Sequence, residues 1–129
     1  MARRTVSDGS SFEQLAGYAR AVRIGSHVAV SGTAALSDGI VLHPGDAYAQ
    51  TREALVRALA AASELGSTAA DVIRTRLLLV EGCDWHGAVR AHGEVFAGID
   101  PANTTYFVAG FIPDGVVVEV ELDAVVPDG

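Results

Sequence analysis

Residues 116–126 read V-V-V-E-V-E-L-D-A-V-V, and they constrain the chain more than any other stretch. Apolar and acidic side chains alternate here with the period of a strand that has one dry face and one wet face. Val116, Val118, Val120 and Leu122 face one way, and Val117, Glu119, Glu121 and Asp123 face the other. Such a strand needs a sheet around it and an apolar layer against its dry face. Three like charges on the other face repel one another. That face must be solvated, paired with cations, or part of a site where one carboxyl keeps its proton unusually well.

The stretch before it, Thr104–Ile112, is also rich in Val, Thr, Tyr and Phe, and Pro113-Asp114-Gly115 lies between the two. Pro fixes φ and Gly accepts φ > 0, so a turn is expected there, joining a last pair of strands. Earlier, Tyr18–Ile24 and His27–Ser31 flank the turn signal Gly25-Ser26 and predict a hairpin. Ser31-Gly32-Thr33 ends it, with a hydroxyl and a position where backbone or ligand can approach closely. Residues 1–11 are polar and are expected to be loose.

Between these strand pairs lie two helical stretches. Asp46 is placed to cap a helix running to about Leu65, with Tyr48, Leu55, Leu59 and Ala62 as its apolar stripe and Gly66 as its stop. Val72–Val80 follows, and its run Leu77-Leu78-Leu79-Val80 predicts a strand buried on both faces. Asp84 then caps a second helix, Trp85 to about Ala97, with Trp85, Val89, His92 and Phe96 on its apolar stripe and Ala88 and Val95 beside it. The element order is β-β-α-β-α-β-β. It predicts a single α+β domain over 1–129, with a mixed sheet and both helices on one face. The uncovered face must pack on something, and self-association is the simplest answer.

Charge narrows the function classes. Nine basic residues oppose sixteen acidic ones, the net charge is −7, and there is no lysine. Binding a phosphate backbone or an anionic membrane rests on clustered cations, so neither nucleic acid nor membrane is expected as a partner. Cys83 is the only cysteine, which excludes an intrachain disulfide. No apolar leader or membrane-length stretch is present, and a cytoplasmic location is expected.

Established catalytic motifs are absent. The chain has no G-x-S-x-G, no phosphate-binding loop, no G-x-G-x-x-G and no H-E-x-x-H. Cys83 and His86 stand three apart without further ligands, so neither metal nor cofactor is expected. What remains is a set of polar residues near strand ends: Tyr18, Ser31, Arg90, Asn103–Thr105 and Glu119.

These residues sit within a longer pattern. Gly17-Tyr18-Ala19-Arg20-Ala21-Val22-Arg23-Ile24-Gly25 precedes Val28-Ala29-Val30-Ser31-Gly32-Thr33. Gln50, Gly66, Asp71-Val72-Ile73-Arg74-Thr75, Phe96, Pro101 and Val118-Glu119-Val120-Glu121 follow in order. Over nearly its whole length the chain resembles the Rid/YjgF family, the reactive-intermediate deaminases. The resemblance implies the chorismate mutase-like/YjgF-type fold: a homotrimer whose sheets form an inner barrel, with three clefts between subunits. Small 2-enamine or 2-imino acids bind in those clefts in the deaminases, and a late-strand glutamate positions the hydrolytic water.

By position, the resemblance makes Glu119 that catalytic glutamate, Tyr18 the aromatic wall, and Ser31 and Gly32 ligand contacts, with Thr105 nearby. Where the deaminases carry Pro-Ala-Arg, with the arginine holding the substrate carboxylate, this chain has Pro101-Ala102-Asn103. Asn103 donates hydrogen bonds but cannot form a bidentate, charge-assisted clamp. Arg90 falls near the family's cleft-lining asparagine, so an exchange across the cleft would keep a clamp on the other wall. The expected ligand is a small molecule, a carboxylate if Arg90 takes that role. A binding trimer without turnover and a variant with another substrate are the alternatives. Ribonuclease activity, another label of the family, is the least expected for so acidic a chain.

Overall fold

The computed structural model describes residues 2–127. Strand β1 spans Arg3–Val6, helix α1 Ser11–Ala16, and strands β2 and β3 Ala21–Ile24 and His27–Thr33. Two short strands, β4 (Leu36–Ser37) and β5 (Ile40–Val41), form a separate ribbon before helix α2, Ala47–Ser63. Strand β6 (Val72–Val80), helix α3 (Trp85–Phe96), and strands β7 (Ala102–Val108) and β8 (Val118–Val125) complete the chain. The main sheet has six strands in the order β1-β2-β3-β8-β6-β7. It is antiparallel except for the parallel pair β6–β7.

Three expectations change. The N-terminal segment is not loose: β1 pairs with β2, Arg4 opposite Arg23, and extends the sheet by one strand. The last two strands are not neighbours. Strand β6 lies between them, pairing with β7 on one side and β8 on the other. The stretch after β7 is thus a crossover instead of a tight turn. Strand β6 is also not dry on both faces, because buried Thr75, Leu77 and Leu79 alternate with half-buried Arg74, Arg76, Leu78 and Val80.

The core lies between the sheet and one helical layer. Both Asp caps form as the sequence predicts: the Asp46 carboxylate accepts from Ala49 N and that of Asp84 from Gly87 N. α2 buries Ala47, Ala54, Leu55, Ala58 and Ala62 against β3 and β8, small residues that let helix and sheet approach closely. α3 is rotated from its expected phase. It buries Gly87, Ala88, Ala91 and Phe96, while Trp85 and Val89 remain exposed. Small residues won the core positions because α3 packs tightly on α2, where Gly87 leaves only 3.3 Å between a would-be Cβ and Tyr48.

On β8 the alternation holds throughout. Val118, Val120, Leu122 and Ala124 are buried beneath the helices, and Glu119, Glu121 and Asp123 point to the uncovered face. No helix among the described residues is long and apolar enough to cross a membrane.

Candidate active site

The uncovered face of the sheet holds a shallow concavity of about 600 Å³, lined by Tyr18, Arg20, Ser31, Gly32, Arg76 and the β8 carboxylates. Its floor is shaped by an irregularity in β3. Val30 pairs with Leu122 and Thr33 with Val120, so two residues, Ser31 and Gly32, stand opposite one, Glu121. This is a β-bulge, a device that re-aims side chains where two strands would otherwise run flat. The bulge brings Gly32 under the Glu119 carboxyl. A Cβ at position 32 would lie 2.5 Å from Glu119 Oε1. Only hydrogen fits there.

Glu119 is half-buried, and loss of water pushes its carboxyl above the usual carboxylate range. The Arg20 guanidinium pulls the other way, and the Glu121 charge adds to the rise. A carboxyl tuned this way can give and take a proton nearer neutral pH than an exposed one. Arg20 donates from Nη1 to Gly32 O at 2.9 Å and to Thr33 Oγ1 at 3.2 Å, so it grips the bulge itself. Ser31 spends its hydroxyl hydrogen on Ala19 O at 2.6 Å and faces the concavity as an acceptor. Tyr18 forms the rim, its ring 6.0 Å from Phe12 and 5.5 Å from the Arg20 guanidinium carbon.

The other two carboxylates have their own counter-ions. Arg76 Nη1 lies 3.5 Å from Glu121 Oε1 and 4.0 Å from Asp123 Oδ1, and His27 Nε2 lies 3.7 Å from Asp123 Oδ2. The acidic face is therefore paired at one end and desolvated at the other. Two of the three answers anticipated for these like charges coexist on one strand.

A stability consequence follows from the raised Glu119 carboxyl. Its pKa is higher folded than unfolded, so the fold binds that proton more tightly. Stability from this group is full below the unfolded value and is lost as pH rises through the folded one. Glu119→Gln removes the buried charge, so the variant should melt above wild type at about pH 8, and the gap should close by about pH 4. Thermal melts across that range check this; a gap that does not vary with pH contradicts it.

The remaining candidates lie elsewhere in the same chain. Asn103 and Thr105 stand on the edge strand β7, in register with Thr75 and Leu77, which face the helical layer. They therefore point away from the Glu119 face. Asn103 Nδ2 donates to Thr75 Oγ1 at 3.0 Å, and Thr105 Oγ1 donates to Asn103 Oδ1 at 2.8 Å. The buried Thr75 hydroxyl also meets His92 Nε2 at 2.7 Å. The His92 ring, held neutral by burial that lowers its pKa, shares one hydrogen with the Thr75 hydroxyl, the donor being set by the ring tautomer. His92 is thus a hydrogen-bonded residue beneath the edge strand. Arg90 is on the outer surface of α3, its guanidinium carbon 4.1 Å from the Tyr48 ring centroid and Nη1 3.5 Å from Glu94 Oε2.

Tyr18, Ser31, Gly32 and Glu119 are brought together; Arg90, Asn103 and Thr105 are not. Sequence reasoning met Arg20 only as part of the family-like run Gly17–Gly25 and missed Arg76. The signal for Arg76 was its position: two residues before Leu78 on a strand whose alternate residues turn out to share the wet face.

The endoribonuclease L-PSP family matches residues 9–126. The Streptomyces coelicolor protein SCO2049 is 41% identical over 121 residues, 94% of this chain and 90% of that protein. The Mycobacterium tuberculosis protein Rv2704, of the YjgF/YER057c/UK114 family, is 41% identical, and its crystal structure superimposes with a TM-score of 0.86 over 97% of this chain and 100% of that one. NMB1025 of Neisseria meningitidis, of the YjgF family, shares the fold at 22% identity, with a TM-score of 0.80 over 100% of this chain and 98% of that one. With the α+β sheet and its helical layer matching these relatives, the chain belongs to the YjgF/YER057c/UK114 (Rid) family, the endoribonuclease L-PSP domain family.

Proposed function

We propose that this protein is a hydrolase of small enamines or imines, a deaminase, in which Glu119 activates the water. The observation that carries the reading is the Glu119 carboxyl: half-buried, raised in pKa, and seated on Gly32 inside a concavity. In the reaction, Glu119 takes a proton from water as the new C–O bond forms at the imine carbon. It passes that proton to nitrogen, giving an amino alcohol, then takes the hydroxyl proton as the C=O bond forms and returns it to nitrogen as the C–N bond breaks, releasing ammonia and leaving a ketone. An enamine first gains a proton at carbon and loses one from nitrogen to become the imine. RNA cleavage fits less well, because the face is acidic and the chain has no lysine.

The working cleft in this reading lies between copies of the chain in a homotrimer. Strand β7 supports it: it is an unpaired edge carrying the exposed side chains Tyr106 and Phe107. An apolar groove of about 290 Å³ runs beside it, between Trp85, Val89 and Leu79. A second copy on that edge would bring Asn103 and Thr105 toward a neighbour's Glu119, which no single copy does.

A specific observation also favours a second reading, a substrate without a carboxylate or binding without turnover. Asn103 has committed its amide to Thr75 and Thr105, and Arg90 is held by Glu94 and Tyr48. Asn103 keeps one uncharged amide hydrogen to offer a ligand, and Arg90 already has an anionic partner in Glu94. The test is ammonia release from imines generated in the assay, 2-iminopropanoate and 2-iminobutanoate beside an imine lacking the carboxylate. Acceleration above the spontaneous rate is expected. A loss of the imino-acid preference in Arg90→Ala assigns the clamp to Arg90, and faster turnover of the uncharged imine favours the second substrate class. No acceleration of any of them overturns the hydrolase reading.

A further inference from the structure

We propose that Arg20 is a positioning residue for the hydrolytic carboxyl, tying Glu119 to the buried Glu13 of the N-terminal helix. The inference rests on Glu119 acting as proposed above. Arg20 lies just before β2 and is largely buried, with 17% of its side chain exposed. One end of its guanidinium grips the bulge, through Gly32 O and Thr33 Oγ1. At the other end, Nε lies 3.3 Å from Glu13 Oε2, close enough for an ion pair but not aligned as a hydrogen bond. Glu13 is 3% exposed, an uncommon place for a carboxylate. It accepts from Ser7 Oγ at 2.7 Å, and Asp8 lies 3.8 Å from Arg20 Nε.

A buried carboxylate without a counter-charge is costly, so Glu13 and Arg20 hold each other in place. Glu119 stands beside the same cation through the bulge that Gly32 forms. The N-terminal helix therefore reaches the site electrostatically without a side chain of its own in the concavity. The charged groups lining the concavity with Glu119 are Arg20 before β2, Glu121 and Asp123 on its own strand, and Arg76 across from β6; β3 adds the titratable His27 at the far end of the face, 3.7 Å from Asp123. Arg76 is shared between Glu121 and Asp123, which leaves Arg20 as the cation that acts on Glu119.

The test reads Glu119 directly in the ligand-free protein. Side-chain carboxyl carbons of 13C-labelled glutamate are titrated by NMR, with the Glu119 signal assigned by its loss in Glu119→Gln. Arg20→Gln removes the cation and should move the Glu119 titration upward. Glu13→Gln removes an anion on the far side of Arg20 and should move it downward. Arg20→Lys keeps the charge, so the titration should stay near wild type. It cannot reproduce the fork to Gly32 O and Thr33 Oγ1, so kcat should fall about tenfold through misplacement.

A merely structural Arg20 would disturb Glu119 in the same sense in Arg20→Gln and Glu13→Gln. Shifts of the same sign, or no shift in Arg20→Gln, overturn the proposal. If the opposed shifts are seen and wild type hydrolyses no imine, the tie between Arg20 and Glu119 stands while the hydrolase reading falls.

Discussion

Gly32→Ala is expected to lower imine hydrolysis by about 100-fold while leaving the melting temperature nearly unchanged, because an ångström of misplacement at a reacting group costs that much. The added methyl carbon would lie 2.5 Å from Glu119 Oε1, a separation that non-bonded atoms do not sustain. Something must move. The atom in the way is the far end of a flexible side chain, with the Glu119 carboxyl carbon at 3.7 Å and no backbone atom within 4 Å. The carboxyl swings aside and the sheet stays. Backbone strain adds nothing, since Gly32 is not among the glycines with positive φ. Activity and stability should thus separate, as measured by steady-state ammonia release beside a thermal melt. An unimpaired Gly32→Ala enzyme would show that the Glu119 position in the concavity does not matter for turnover.

The second large effect is on the fold. Gln50 is fully buried in α2, and its amide serves two loops at once. Nε2 donates to Leu42 O at 3.2 Å, His43 O at 3.1 Å and Gly115 O at 2.9 Å, while Oε1 accepts from Val117 N at 2.9 Å. Two hydrogens shared among three carbonyls make a tight polar knot where the chain enters β8. Gln50→Leu matches the volume but orphans Leu42 O and Val117 N, while His43 O keeps Asp46 N and Gly115 O keeps Gly45 N at 3.3 Å. With each orphaned group costing on the order of 1 kcal/mol or more, a loss of about 3 kcal/mol is expected. For a domain of this size that is a fall of about 10 °C in melting temperature. Denaturation of Gln50→Leu beside wild type checks it, and a change below about 1 kcal/mol would mean that water replaces the amide at little cost.

Legibility in the sequence followed the range of the interaction. The alternation along β8, the Asp46 and Asp84 caps and the Gly25-Ser26 hairpin are local, and each appears in the fold at the expected place. Strand partners are not local. Pro113-Asp114-Gly115 looks like a hairpin turn, but β8 finds better apolar partners in β6 and β3, so the loop becomes a crossover. The phase of α3 was misread for a related reason. Trp85 and Val89 are larger than Gly87, Ala88 and Ala91, yet the small residues take the close contact with α2, and the one bulky residue α3 buries is Phe96 at its end. Burial there is decided by size.

Within the site, the resemblance led to Glu119, Tyr18, Ser31 and Gly32, and the fold gathers them on one face. The bulge that joins Gly32 to Glu119 is a matter of register between β3 and β8, which no local pattern encodes. The roles of Arg20 and Arg76 are hidden for the same reason, since each depends on what a neighbouring strand places opposite. Asn103 and Thr105 face the helical layer because β7 pairs in parallel with β6, and that pairing too is long-range.

The measurement that bears most directly on the account is the rate of ammonia release from 2-iminopropanoate and from an imine without a carboxylate, in wild type and in Glu119→Gln, against the spontaneous reaction. The account predicts acceleration of at least one substrate by wild type and a fall of about 10² to 10⁴-fold in the variant, the usual contribution of a positioned acid–base group. Equal acceleration by the folded Glu119→Gln protein, or none by wild type, would contradict it.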